Sequence, residues 1–278
     1  MKYTILTLFP EIIEVFFNSS IMARAVNRDI IQYRLINIRD YAYDRHKTCD
    51  DATYGGGPGM LMLPEPLGRA LEAAGVRNRL AGGGTAGAAG FSAGGRTAAD
   101  RDTAGMAPAR VICLSPSGRP FTQALAGELA EEKELVLICG RYEGIDQRII
   151  DCYVDEEISI GDYVLSSGEA AALVVIDATC RLVDRVIRAE SLEEESFSGG
   201  LLEYPQYTRP ELYATLKVPD VLLSGHHERI RRWRVEKRVE KTLALRPDLV
   251  RQGEEAGLFD AETIKIIEEM RNERNKSH

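Results

Sequence analysis

Leu135-Val136-Leu137-Ile138 breaks at once into Cys139-Gly140-Arg141-Tyr142-Glu143-Gly144-Ile145-Asp146, and a second turn-rich piece follows, Ile158-Ser159-Ile160-Gly161-Asp162-Tyr163-Val164-Leu165-Ser166-Ser167-Gly168-Glu169. In each half a buried strand ends in a glycine loop. Glycine directly after such a strand admits left-handed torsions and lets backbone amides come close to a ligand. In open α/β sheets, ligands gather at the carboxyl ends of strands. Either loop alone reads as an ordinary strand exit. Two together, carrying Arg, Tyr, Glu and Asp, point to one shared pocket.

Upstream, the apolar run at residues 3–8 reads as a strand, and Pro10-Glu11 opens the amphipathic stretch Ile12 to Phe17. Strand then helix begins an α/β unit. Ser19-Ser20 reads as the cap of a second short helix through Ala23 to Val26, and residues 31–38 alternate as a strand. A polar segment, Asp44 to Asp51, leads into Tyr54-Gly55-Gly56-Gly57-Pro58-Gly59-Met60, which no regular element tolerates. It lacks the Lys-Ser or Lys-Thr of a P-loop and does not match the dinucleotide spacing. It reads as a lid or substrate-facing loop, or as a plain connector. A helix is predicted over Pro64 to Ala74. Residues 76–108 are then dominated by Gly and Ala, with few large apolar residues to offset the cost of ordering, and are predicted to be a disordered surface insertion. Val111-Ile112-Cys113-Leu114 restores the pattern and exits into Ser115-Pro116-Ser117-Gly118-Arg119, a third strand-end turn. A helix through Ala124 to Glu132 leads back to Leu135.

Downstream, Ala170 to Ala178 reads as a helix ending near Thr179-Cys180-Arg181. Glu190 to Gly200, acidic and then glycine-rich, has the composition of a linker. Residues 204–278 read as a small helical domain. Between Glu228 and Arg246 there are eight Arg and Lys against three Glu, in a chain whose net charge is -8. Ile230, Trp233, Val235 and Val239 fall at helical spacing, so the helix has an apolar face and a basic one. With a lone Trp, no matching acids and a local charge opposed to that of the chain, phosphate contact is expected in preference to a merely solvated face. The predicted division is residues 1–187, an α/β domain; 188–200, a linker; and 201–278, helical.

Composition narrows the class. The 44% hydrophobic and 28% charged content is that of an ordinary globular protein. No apolar run approaches the roughly 18 residues a membrane span needs, so no membrane partner is expected. The first residues read as a strand and not as a secretory leader. Five scattered cysteines, at 49, 113, 139, 152 and 180, suggest neither a disulfide framework nor a zinc site, which fits a reducing cytoplasm. No metal-ligand cluster stands out. The acidic balance argues against a protein that coats nucleic acid with its whole surface.

Leu8-Phe9-Pro10-Glu11, Asp44-Arg45-His46, Tyr54 to Met60, Leu114-Ser115-Pro116, Cys139 to Asp146, Ser159 to Leu165 and Tyr207-Thr208-Arg209-Pro210 together resemble the bacterial tRNA (guanine-N1)-methyltransferase family. The motifs run in the right order from the N-terminus to about residue 235. The resemblance implies a SPOUT-type α/β fold, a parallel sheet with a deep trefoil knot, followed by a small all-helical C-terminal domain. Local patterns carry no signal for a knot. It also implies an antiparallel homodimer with the active site at the subunit interface. The implied reaction moves a methyl group from S-adenosyl-L-methionine to N1 of the guanosine just 3′ of the anticodon, tRNA position 37, and magnesium is expected to help.

Carried over residue by residue, the cofactor pocket falls on Cys113, Leu114, Ser115 and Pro116; on Gly140, Arg141, Tyr142 and Glu143; and on Ile160, Gly161, Asp162, Tyr163, Val164, Leu165, Ser167 and Gly168. Contacts to the tRNA anticodon stem-loop are expected at His46, Asp50, Tyr54, Gly55, Gly56, Gly57, Ser224, Arg229, Arg231, Arg232 and Arg234. The family's catalytic arginine falls on Arg181. Its base, an aspartate before Ser-Phe, falls on Glu195, before Ser196-Phe197. The chemistry needs both: the N1 proton must leave to a carboxylate, and a guanidinium at O6 stabilises the charge that develops.

Three departures stand out. Glu195 lengthens the base by one methylene, with the linker between Arg181 and Phe197 one residue shorter. Ser167-Gly168-Glu169-Ala170-Ala171 replaces Gly-Gly-Glu-Leu-Pro, and Cys113 replaces a tyrosine. Glu193 or Glu194 is the alternative base. A tRNA-binding homologue with weak or lost activity is the alternative function.

Overall fold

The computed structural model describes residues 1–80, 109–188 and 195–276. It falls into two compact units, Met1–Ile187 and Arg188–His278. In the first, β1 (Lys2–Thr7) is followed by α1 (Pro10–Phe17), α2 (Ser20–Asn27), β2 (Gln32–Asn37) and a 3-10 turn, Ile38–Tyr41. A short hairpin, β3 (Asp50–Ala52) and β4 (Met60–Met62), carries the glycine loop at its tip. Then come α3 (Pro64–Ala73), β5 (Arg110–Pro120), α4 (Gln123–Ala130), β6 (Glu134–Cys139), α5 (Gln147–Tyr153), β7 (Glu156–Ser159) and α6 (Gly168–Cys180).

Five strands form one sheet in the order β2-β1-β6-β5-β7, and every pairing is parallel. Continuous apolar strands belong in such a sheet because helices cover both faces. Period-two alternation sends Leu135, Leu137 and Cys139 to one face, with Ile13, Phe17, Leu125 and Val175. It sends Val136 and Ile138 to the other, with Leu67, Leu71, Ile149 and Tyr153. The buried Tyr3 hydroxyl meets Thr179 Oγ1 at 2.9 Å, tying β1 to α6.

Several expectations are corrected. Ser19 precedes α2 but caps nothing through its side chain; its hydroxyl donates to the Val15 carbonyl at 2.6 Å. Residues 76–80, assigned to the insertion, are tied down: Val76 is buried, and Arg79 donates to the Tyr153 and Val154 carbonyls and pairs with Asp155. Residues 81–108 lie outside the described residues. The strand expected to end at Leu114 instead continues to Pro120, because residues 115–118 bulge out and the chain rejoins β7 at Arg119.

The cysteines make stability depend on pH. All five are free, and four are buried. Burial pushes the Cys113 and Cys180 thiols up to about 12 and raises Cys139 well above its ordinary value. In the unfolded chain these thiols ionise near pH ~8.5. Because the folded pKa is the raised one, this stabilisation is complete below the unfolded value and is lost as pH climbs toward the folded one. The urea midpoint is expected to fall progressively between about pH 9 and 12, and a flat midpoint there would contradict it.

The second unit contains a ribbon, β8 (Leu212–Tyr213) and β9 (Leu216–Lys217), and helices α7 (Asp220–Leu223), α8 (His227–Leu245), α9 (Pro247–Glu255) and α10 (Ala261–Lys276). The ribbon departs from the all-helical expectation. The core is Leu201, Val239, Leu243, Val250, Ile266 and Ile267. On α8 the buried stripe is therefore Val239, Thr242 and Leu243, while Ile230 and Trp233 are only half-buried. No helix among the described residues is long and apolar enough to cross a membrane.

Candidate active site

The bulge within β5 and the loops at the carboxyl ends of β6 and β7 line a cavity of about 350 Å³. Cys113 to Pro116, Gly140 to Glu143, Ile160, Gly161, Tyr163 to Leu165, Ser167 and Gly168 all line it. Asp162, grouped with them from the sequence, does not. The volume lies in the range of small-molecule pockets. The mixture of apolar side chains and exposed loop backbone suits a ligand with a flat aromatic part and several polar atoms.

Each loop is held in shape locally. Gly161 has φ +147°, and a Cβ there would lie 2.5 Å from the Tyr163 ring, whose hydroxyl donates to the Ile160 carbonyl at 3.2 Å. Tyr142 sits at φ 58°, a left-handed conformation that costs a non-glycine residue about 1 kcal/mol. Burial, and then the neighbouring Asp50 carboxylate, raises its phenol pKa, so a residue expected in the cofactor loop stands beside one expected to touch RNA. The hairpin is joined to the same loop by backbone bonds: Glu143 N–H to Met60 O at 3.0 Å, Met62 N–H to Gly144 O at 3.0 Å and Asp146 N–H to Met62 O at 3.3 Å. Arg141 donates to the Ser166 carbonyl at 3.2 Å and lies over the Phe9 ring.

The loop before α6 resolves one departure. Ser167 has φ -164° and ψ 154°, extended backbone open to any residue, so a side chain there carries no conformational cost. Ser167→Gly is therefore expected to leave cofactor affinity within about twofold, since no strain is relieved. A gain of tenfold or more in calorimetry would show that the serine obstructs the site. Gly168 N–H donates to Gly140 O at 2.8 Å, closing the loops of β6 and β7 on one another. Beneath them, Thr7 Oγ1 donates to the buried Glu169 Oε1 at 2.5 Å.

Arg181 caps the C-terminal end of α6, its N–H donating to Asp177 O at 3.2 Å. In the second unit, Glu195 begins a turn in which Ser198 N–H donates to Glu195 O at 3.2 Å and Phe197 N–H to Leu201 O at 3.0 Å. Arg238 of α8 donates to Ser198 O at 3.1 Å. Residues 195–200, expected as linker, thus form a turn fastened to α8, and 189–194 lie outside the described residues.

Tyr54 at the hairpin tip is fully exposed, with Gly55, Gly56 and Gly57 all at positive φ. His46 is exposed in a turn closed by Asp44, and Asp50 opens β3. Ser224 follows α7, and its hydroxyl donates to the Val221 carbonyl at 2.7 Å. Arg229, Arg231 and Arg232 are exposed on α8, and Arg234 lies 4.9 Å from the Tyr204 ring. The expectation that this helix has no matching acids is wrong. Arg231 pairs with Glu228 at 2.9 Å and with Glu262 of α10 at 2.5 Å, Arg232 with Glu236 at 3.0 Å and Lys237 with Glu240 at 2.5 Å. Exposed pairs of this kind contribute little to stability and can be exchanged for phosphate. The lone Trp233 packs near Tyr207, with ring centroids 6.4 Å apart.

Glu157, Ser159 and Gln147 also line the cavity and lie outside the loops expected to form it, while Ser166 lines it within the expected loop. For Ser159 the strand-end rule, applied one residue earlier, would have found it; Glu157 lies inside β7 and carries no such signal. Among the described residues no group of three or more His, Cys, Asp or Glu is placed to hold a metal ion.

A family model described as tRNA (Guanine-1)-methyltransferase TrmD matches residues 1–252. A tRNA (guanine-N(1)-)-methyltransferase of Treponema denticola is 54% identical over 273 residues, covering 98% of this chain and 100% of that protein. Proteins of the same name from Treponema pallidum and Borrelia duttonii are 50% identical over 270 residues (97% and 96% covered) and 52% over 251 (90% and 92%).

Proposed function

Because the chain belongs to the tRNA (guanine-1)-methyltransferase family, we propose that it moves a methyl group from S-adenosyl-L-methionine to N1 of the guanosine just 3′ of the anticodon in tRNA. The observation that carries this reading is the convergence of the β5 bulge and two strand-end loops on one cavity, in a chain so similar to enzymes of that name.

The cofactor supplies an electrophilic methyl group on a sulfonium. The cavity fits it: the loop backbone at Gly140 and Ile160 offers polar atoms for an adenine edge, and Leu165, Ile158 and Ala171 give apolar cover. Arg181 stabilises the negative charge that develops on guanine O6, while Glu195 accepts the N1 proton, so that a neutral ring gains the methyl group and a carboxylate gains the proton. The exposed hairpin tip and α8 are assigned to the RNA. On the same reading the sheet is of the SPOUT type with a trefoil knot, the second unit holds the anticodon stem-loop, and the working form is a cytoplasmic homodimer with its active site at the subunit interface. Magnesium fits less well. The described residues offer no group of three or more His, Cys, Asp or Glu for it.

Methyl transfer from labelled cofactor to tRNA transcripts tests the proposal. Incorporation as 1-methylguanosine is expected with guanine at the target position and not with adenine. Tight tRNA binding without transfer would instead favour a binding protein that has lost the activity.

A further inference from the structure

Strand β5 pairs with β7 through Leu114 opposite Ile158, and then resumes with Arg119 opposite the same Ile158. Ser115, Pro116, Ser117 and Gly118 are therefore extruded against a single residue, and Ser115 and Pro116 become a wall of the cavity. Gly118 permits this. A Cβ there would lie 2.4 Å from the Ile158 nitrogen and 2.5 Å from the Glu157 carbonyl carbon. An extrusion this long interrupts the ladder, so pairing within it cannot fix its register.

Two arginines do so from either side of the bulge. Arg110, before it, donates through Nη2 to Glu156 Oε2, and Arg119, after it, donates through Nη1 to Glu156 Oε1 at 3.2 Å. Glu128 of α4 receives a further bond from each, 2.7 Å from Arg110 and 3.4 Å from Arg119. Both ends of the bulged strand are thus tied to the same two carboxylates. The inner half is dry, with the Arg110 side chain 1% and Glu156 6% exposed, and the outer half is not, with Arg119 37% and Glu128 42% exposed. Burial alone would lower the Arg110 pKa, but the carboxylates outweigh it and keep the guanidinium charged. A buried charge cannot leave such a partner without a large penalty, so Glu156 is a fixed anchor to which Arg119 returns the chain.

We infer that Arg119 is a positioning residue for the cofactor: by fastening the returning end of the bulge to Glu156 and Glu128, it sets the place of the Ser115-Pro116 wall and with it the affinity for S-adenosylmethionine. The inference rests on the reading that the cavity holds that cofactor.

Arg119→Gln in the full-length protein is the decisive variant, because Arg110 keeps both carboxylates and the buried charges stay compensated. Calorimetric Kd and KM for S-adenosylmethionine are expected to rise about tenfold, with KM for tRNA within about twofold and kcat at saturation within about threefold, the pattern of lost ground-state binding. Arg119→Lys, which keeps the charge but not the fork, is expected to fall between the two. A role in stability alone would lower Tm and leave the affinity of the folded molecules unchanged. Cofactor affinity within about twofold of the unaltered protein in both variants overturns the inference. Should Arg119→Gln fail to fold, Arg119→Lys decides by the same criterion. If the unaltered protein does not bind the cofactor, the reading of the cavity itself falls, an outcome visible before any variant is compared.

Discussion

Glu195→Ala is expected to lower the single-turnover rate of methyl transfer by a factor on the order of 10² to 10⁴, the usual contribution of a positioned general base. Affinity for tRNA and for the cofactor should change little, since a group that acts only as the proton leaves contributes mainly in the transition state. On the proposed assignment, a glutamate serves where the resemblance implies an aspartate. The backbone of residues 195–198 is closed into a turn and fastened to α8 by Arg238, so the carboxylate is delivered from an anchored segment and only the extra methylene has to be accommodated. Glu195→Asp, which restores the family's residue, then tests placement separately from charge. Misplacement by about 1 Å costs on the order of a hundredfold. A linker adjusted to glutamate therefore makes aspartate slower, whereas a faster Asp variant would mean the adjustment is incomplete. An unchanged rate in Glu195→Ala would remove the assignment and move the base to Glu193 or Glu194.

Gly168→Ala is the second large effect. A Cβ at this position would stand 2.7 Å from Gly140 N, 2.8 Å from Cys139 Cα and 3.0 Å from the Cys139 carbonyl carbon, all backbone atoms with nowhere to rotate. The β6 loop must move, breaking the 2.8 Å bond from Gly168 N–H to Gly140 O. Overpacking of this kind costs about 1–3 kcal/mol, and the displaced Gly140 is itself part of the cavity wall. A lower Tm and a cofactor Kd raised by at least about tenfold are expected together. The contrast with Ser167, one residue earlier and in extended backbone, makes the pair diagnostic. If both substitutions left calorimetric affinity unchanged, the cavity would not be the cofactor site.

The α/β character and the three loops were legible because strand length, helix alternation and glycine punctuation are local signals, while the parallel sheet was implied by the family resemblance. Cys139-Gly140 and Ile160-Gly161 could hardly be anything but strand exits. The continuation of β5 was not legible. Pro116-Ser117-Gly118 has the composition of a strand end, and only pairing with β7, far along the chain, shows that the strand resumes. The clamp on Glu156 depends on that same long-range register. On α8 the failure was different. Glu228 with Arg231 and Arg232 with Glu236 stand at helical spacing and were available from the sequence, but counting charges over the whole segment concealed them. Glu262 comes from another helix and had no local signal.

The three backbone bonds between β4 and residues 143–146 mean that hairpin and cavity floor cannot open independently. The amide protons of Met62, Glu143 and Asp146 should exchange with solvent as one group, with a common opening free energy, while those of Gly55 and Gly57 at the tip exchange quickly. Spread rates among the three would show separate openings. The hairpin is hinged on a loop that lines the pocket, so any force that bends the one loads the other.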